Sequence, residues 1–200
     1  MGADAGGAVE RARSGDSDAF RLLVEQHSRS VFRLAFRMTG NEQDAEDVVQ
    51  ETFLRAYRQL DKYEARSSFS TWLYRIASNY SLDLIRSRKR HEDKRERGSE
   101  EGADILQSIP GNHPGPDRLV FSGQVQVHVN AALGELSAQE RMAFVLRHYE
   151  GLSIEEIGEV LGTGTNATKH SIFRAVQKLR KSLEAVVSPA RSGEMSPRSE

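Results

Sequence analysis

The stretch LSAQERMAFVLRHYEGLSIEEIGEVLG, Leu136 to Gly162, holds the pattern Ser-x-x-Glu twice, Ser137 with Glu140 and Ser153 with Glu156. A serine oxygen accepts the N–H three residues on while the glutamate reaches back to the serine N–H, so each pair marks the start of a helix. Met142, Ala143, Val145 and Leu146 continue inward along the first helix, which Gly151 ends; Ile154, Ile157, Val160 and Leu161 supply the apolar side of the second. Gly162-Thr163-Gly164-Thr165-Asn166 reads as a turn into a third helix, Ala167 to about Leu183, with Ile172, Phe173, Val176, Leu179 and Leu183 as its inner positions. A short acidic helix, a glycine turn and a longer basic helix make a helix-turn-helix, whose last helix can enter a major groove. Candidate contacts are Asn166, Thr168, Lys169, His170, Ser171 and Arg174, with Lys178 a turn further on. The same pattern also fits an ordinary helical hairpin with a solvated basic side.

Helical spacing governs the first half as well. Asp16 or Ser17 caps a helix in which Phe20, Leu23, Val24, Val31, Leu34, Ala35 and Met38 recur every three or four residues, and Gly40 closes it. Glu42 to about Leu60 follows, with Ala45, Val48, Val49, Thr52, Phe53, Ala56 and Leu60 as the apolar stripe and Glu42, Asp44, Glu46 and Asp47 near its positive end. These acids cap and solubilise the helix, or else form a docking face for a basic or amphipathic partner; the sequence alone leaves both open. After a loop, Asp61 to Ser68, either Ser68 or Ser70 caps a helix whose buried stripe is Trp72, Leu73, Ile76, Ala77, Tyr80, Leu84 and Ile85.

Tyr74, Arg75, Asn79, Asp83 and Arg86 fall outside that stripe, and the last four step along one side of the helix. Such a row can hold phosphate with its arginines and bond to bases with its amide and carboxylate, while nearby aromatics stack on an unpaired base. A solvated, internally bonded face has the same spacing. Arg86, Arg88, Lys89 and Arg90, then Lys94, Arg95 and Arg97, extend the positive field beyond what a helix end needs.

A formal net charge of -1 conceals this segregation. Asn41 to Glu51 has acids and no Lys or Arg, whereas Asn166 to Lys181 has five cations and no acid, so local charge speaks to partners and the net value does not. The chain has no cysteine, which excludes disulfide scaffolds, thiolate metal sites and cysteine nucleophiles. His91 and His113 stand apart from any ligand set, so no metal or other cofactor is expected. The absence of a signal-like N-terminus or a membrane-length apolar run makes the cytoplasm the expected compartment.

Met1 to Arg13 is small, Gly-rich and expected to be disordered, as is the tail after Ser188. Glu92 to about Pro116 reads as a linker and Val120 to Leu133 as a first helix of the second unit, despite the strand-like alternation of Val125, Val127 and Val129. The expected fold is all-α: two small helical domains, residues 14–91 and 119–187, joined by a flexible linker at 92–118, the C-terminal one a helix-turn-helix.

DAEDVVQETFLRAYRQL at Asp44 to Leu60, FSTWLYRIASNYSLDLIRSRKR at Phe69 to Arg90 and the Leu136 to Leu183 unit together resemble the sigma-70 family of RNA polymerase sigma factors, specifically the extracytoplasmic-function type. The resemblance implies a promoter-specificity subunit with no catalytic chemistry of its own. It implies that Asp44, Glu46, Asp47, Gln50 and Glu51 dock on the clamp helices of the largest catalytic subunit. It further implies that Trp72, Tyr74, Arg75, Asn79, Asp83, Arg86, Arg88, Lys89 and Arg90 capture the non-template strand around position -10. The second domain is expected to read duplex near position -35 and to rest on the flap of the second-largest subunit. An anti-sigma protein is a further partner; membrane insertion is not expected. One departure stands out: where the family commonly carries Arg after Lys and Ser in the recognition helix, this chain has Ser171, which puts the usual phosphate grip in question.

Three other readings fit parts of the pattern. A one-domain regulator would use the helix-turn-helix but leave Asp44 to Arg90 unexplained. A helical adaptor that sequesters another protein would use the same faces without DNA. An enzyme fits least, because no nucleophile-base pair or phosphate-binding glycine loop stands at a useful spacing.

Overall fold

In the computed structural model, which describes residues 3–97, 129 and 131–187, all regular structure among the described residues is helical. Helix α1 is Ala3–Arg13, α2 Ser17–Thr39 and α3 Glu42–Arg58; a 3-10 turn at Leu60–Lys62 leads to α4, Phe69–Arg97. Helices α5 (Ala138–His148), α6 (Ile154–Leu161) and α7 (Thr165–Val187) form the second unit.

The ends of the helices follow side-chain chemistry. Asp16 caps α2 by accepting the Ala19 N–H at 3.0 Å, and Asn41 caps α3 through the Asp44 N–H at 2.8 Å. Ser68, rather than Ser70, accepts the Thr71 N–H at 3.1 Å and opens α4. Both Ser-x-x-Glu pairs form complete capping boxes. Gly40 and Gly162 end α2 and α6 in the left-handed conformation that lets the chain turn without a Cβ clash.

Several expectations are corrected. Residues 3–13 of the segment expected to be disordered form a helix: α1 buries Val9 and Ala12 and packs on α2, while Arg11 bonds to Asp16 and steadies the next helix start. Helix α4 does not stop at a linker but continues through the basic tract to Arg97, a run of straight-chain helix formers whose cations suit the negative helix end. Helix α7 begins at Thr165, so Thr165 and Asn166 form its first turn rather than the loop before it. Of the expected helix across Val120 to Leu133, Val129 and residues 131–134 are helical, and the remainder lies outside the described residues, as do most of the expected linker and the C-terminal tail.

The phase of α7 also differs from expectation. Phe173 is 61% exposed and Val176 faces out, whereas Thr168, Ser171, Ala175 and Leu179 are buried. Ala175 and Leu179 pack against Ala132, Leu133 and Leu136, a close approach that small side chains permit and a phenylalanine would block.

The main core joins Leu23, Leu34 and Met38 of α2 with Val48 and Phe53 of α3 and Leu73 and Ala77 of α4, and it continues without a break into Met142, Leu146, Ile157 and Val160. The two units therefore pack against each other, α6 and α5 lying along α4 and the end of α2. At this seam Tyr74 donates to Glu150 at 2.6 Å, Arg141 donates to the Met38 carbonyl at 2.8 Å, and Thr71 donates to Glu156 at 3.3 Å. The Arg37 guanidinium lies 4.0 Å from the Tyr149 ring centre.

Candidate polymerase and nucleic-acid interfaces

Helix α3 turns Glu46, Asp47 and Gln50 to solvent, with Glu51 half-buried and bonded to Arg55 at 2.6 Å. Beside them a shallow groove of about 380 Å³ between α2 and α3 is lined by Ser28, Arg29, Phe32, Glu46, Val49 and Gln50. Phe36 stacks on Phe32 with ring centres 6.1 Å apart and is itself exposed. An apolar floor edged by Glu46, Gln50 and Arg29, with Asp47 exposed next to Glu46 on α3, suits an amphipathic helix better than acids alone would. Phe32 and Val49 were invisible as surface residues in the sequence because they share the apolar spacing of the core.

Asp44 does not belong to that face. It is 5% exposed, bonded to Asn41 and to Arg88 of α4. The acid expected to meet the polymerase and a cation expected to meet DNA are thus each other's partners, tying the ends of α3 and α4 together. A buried carboxylate needs such pairing to stay charged.

Along α4, Arg75, Asn79, Asp83 and Arg86 are all exposed, and Trp72 stands one turn before Arg75 on the same side. Trp72 is half-buried in a cluster with Tyr63 and Phe69 at centroid distances of 5.3 and 5.6 Å, so its ring is held rather than free. Arg86 and Asp83 approach only to 3.6 Å; Lys89 and Arg90 are exposed beyond them. Tyr74 is a correction: it is 7% exposed, and burial together with its bond to Glu150 pushes its hydroxyl pKa up. Its hydroxyl lies at the seam, donating to Glu150, so the residue is within the buried part of α4 and not outside it.

In the second unit, Gly158 is the residue that sequence reasoning passed over. A Cβ there would sit 2.8 Å from the Thr163 carbonyl oxygen, so α6 and the turn into α7 can approach only over glycine. Thr168, 1% exposed, closes the same turn by sharing a hydrogen bond with Thr163 at 2.9 Å and donating to the Gly164 carbonyl at 3.2 Å. Ser171 is 6% exposed. Both were expected at DNA and are instead packed inside the motif, where a buried hydroxyl needs an internal partner.

Asn166, Lys169, His170 and Arg174 remain on the outer surface of α7, with Phe173 among them. Arg174 and Lys178 both reach Glu140, at 3.3 and 2.7 Å. Burial alone would raise the Glu140 pKa, but the bonds from Lys178 and Ser137 outweigh it and hold the carboxyl below its ordinary value. The capping glutamate of α5 therefore also fixes two cations of the reading helix.

Residues 23–91 match the model for sigma-70 region 2, and residues 128–179 that for sigma-70 region 4. The chain is 34% identical to the ECF RNA polymerase sigma factor SigW of Bacillus subtilis, over 88% of this chain and 94% of that protein. It is 33% identical to the ECF RNA polymerase sigma-E factor of Escherichia coli K12, over 90% and 94%. Among solved structures it resembles CnrH in complex with the cytosolic domain of CnrY, with a TM-score of 0.65 and 28% identity over 89% of this chain and 96% of that one. None of its described helices is long and apolar enough to cross a membrane. This is a non-catalytic subunit, which binds bacterial core RNA polymerase, recognises the -10 and -35 promoter elements and promotes melting: the chain belongs to the extracytoplasmic-function group of the sigma-70 family.

Proposed function

We propose a division of this activity among named residues. The α3 face, Glu46, Asp47, Gln50 and Glu51 around the Phe32 and Val49 floor, docks on the helical clamp of the largest polymerase subunit. The α4 row, Arg75, Asn79, Asp83 and Arg86 with Lys89 and Arg90, takes the non-template strand of the -10 element. Asn79 and Asp83 bond to an unstacked base, and the arginines hold the flanking phosphates, offsetting an unpairing cost of a few kcal/mol. Asn166, Lys169, His170 and Arg174 read the -35 duplex, where a basic helix N-terminus reaches base edges and phosphate together. Thr168, Ser171, Asp44 and Tyr74 act from within the fold.

The observation that carries this reading is the continuous exposure of Arg75, Asn79, Asp83 and Arg86 along one side of α4, on a different element from the groove between α2 and α3. Binding to polymerase and capture of the strand are then separable. Replacing Glu46 and Asp47 with Lys should abolish association with core polymerase while leaving the melting temperature in place. Unchanged core affinity would remove α3 from the interface.

The protein acts in the bacterial cytoplasm, where polymerase and promoter are. That CnrH is found in complex with the cytosolic domain of CnrY supports a further protein partner here, which we take to be an anti-sigma chain.

A further inference from the structure

We propose that Arg88 is a positioning residue for strand capture: its pair with Asp44 braces the outer, basic end of α4 against α3 and so presents Arg86, Lys89 and Arg90 to the DNA strand. This rests on the reading of α4 as the strand-capturing surface, and it says what holds the far end of that surface in place.

Packing holds only the first part of α4. Leu73, Ala77 and Leu82 are buried, and Leu84 and Ile85 lie half-buried against the same core. From Arg86 to Arg97 the helix has no apolar side chain, yet it runs on for about 18 Å at 1.5 Å per residue. A helical stretch without an apolar stripe gains nothing from a core and is marginal by itself. Arg86, Arg90 and Lys94 also follow at intervals of four, and like charges so spaced destabilise a helix further. Among the described residues, the polar contact that joins this stretch to another element is Arg88 with Asp44, whereas the Arg86 pair with Asp83 stays within α4.

The contact has the form of a brace. Arg88 Nη2 donates to Asp44 Oδ1 while Nη1 faces Oδ2, a two-pronged match of guanidinium to carboxylate that a lysine cannot reproduce. Asp44 is itself fixed in the first turn of α3: its N–H donates to Asn41 Oδ1 at 2.8 Å, and Asn41 Nδ2 donates back to Asp44 Oδ2. Its side chain is 7% exposed, so the anchor is rigid and out of reach of a partner. Arg86, Lys89 and Arg90 stand within two residues of Arg88 and are exposed. Pinning Arg88 therefore sets where these three leave the helix, while their own side chains stay free to follow the strand.

Other roles for the pair predict different signs. If Arg88 only lent its charge to DNA, Asp44→Asn would free it and speed promoter opening. If Asp44 met the polymerase, the same change would weaken core binding. The brace predicts slower opening with core binding intact.

A double-mutant cycle of Asp44→Asn and Arg88→Ala tests this, using the full chain assembled with core polymerase and rates normalised to active holoenzyme, so that a loss of folded protein alone does not change them. Each single variant should slow the closed-to-open step about fivefold or more, and the double variant should be within about twofold of the slower single. Arg88→Lys, which keeps the charge and loses the fork, should stay at least about twofold slower than wild type. Unchanged or faster opening in Asp44→Asn, multiplied losses in the double variant, or full activity in Arg88→Lys would overturn the proposal. A fall in core affinity would overturn it too, by returning Asp44 to the polymerase face. If Asp44→Asn does not fold, the half-exposed Arg88 still decides: Arg88→Lys as fast as wild type refutes the brace, and Arg88→Lys slowed with core affinity intact upholds it. Asn79→Ala, run in parallel, separates the two levels. No effect there removes the strand-capture reading itself, whereas slow opening in Asn79→Ala beside normal opening in Asp44→Asn removes the brace alone.

Discussion

The two helices proposed to face DNA, α4 and α7, carry similar cations in different circumstances. On α4 Arg88 is tied to Asp44, but the cations of the exposed row are not held in this way: the row's one ion pair among the described residues, Arg86 with Asp83, is long at 3.6 Å. On α7, Arg174 and Lys178 are both held by the buried Glu140, whereas Lys169 has no ion pair among the described residues. A single strand that bends to its site can be met by mobile side chains; duplex of fixed spacing is better met by side chains already held in place. In the proposed division of roles, adaptable chemistry falls where the DNA melts and fixed chemistry where it stays paired.

The contrast can be broken most forcefully on α4. Asn79→Ala and Asp83→Ala should each lower open-complex formation about 10-fold to 100-fold, the loss of a good base contact of about 1–3 kcal/mol, while core binding is retained. Equal losses in both assays would remove these residues from strand capture. In the second unit, Gly158→Ala should destabilise the helix-turn-helix by about 1–3 kcal/mol, because the added Cβ meets the Thr163 backbone. A melting curve of the full chain checks this.

Smaller effects sharpen the comparison. Lys169→Ala should reduce the slope of log affinity against log salt by about 1 for promoter duplex. Glu140→Gln should leave that slope nearly unchanged but loosen Arg174 and Lys178, weakening discrimination among -35 sequences. The smallest effect is on stability. The folded pKa of Glu140 is depressed, so its contribution is complete above the ordinary carboxylate range and is lost as pH falls through the lowered value. Acid melting should therefore be less steep in Glu140→Gln. His27, whose pKa is lowered by burial against Phe69, behaves with the same sign at higher pH: its contribution fades as pH falls below the usual histidine value, and His27→Gln should flatten stability there.

Local chemistry made most of the fold readable. The two capping boxes, the Asp16 cap that the spacing offered beside Ser17, and the glycine at α2's end act within three or four residues, so local spacing located them; the Asn41 cap of α3 was passed over. What depended on distant partners was hidden. Asp44 looks like its acidic neighbours until Arg88, far along the chain, is found beside it. Tyr74 looks like a free aromatic until Glu150 is placed against its hydroxyl. On α7 the apolar residues misled, because the buried side is made of Thr168, Ser171 and Ala175, small enough for helices to touch, and Phe173 points outwards. Ser171 in place of the family's arginine is explained in the same way: at that buried position the side chain packs within the motif, while Lys169 and Arg174 are exposed on either side of it.

Transcription from a randomised promoter pool, with bacterial core polymerase and with or without this protein, tests the account most directly. It predicts defined new start sites, each preceded by two short conserved elements about 25 base pairs apart, that vanish when the protein is omitted. Intact core binding with no new start sites would contradict it.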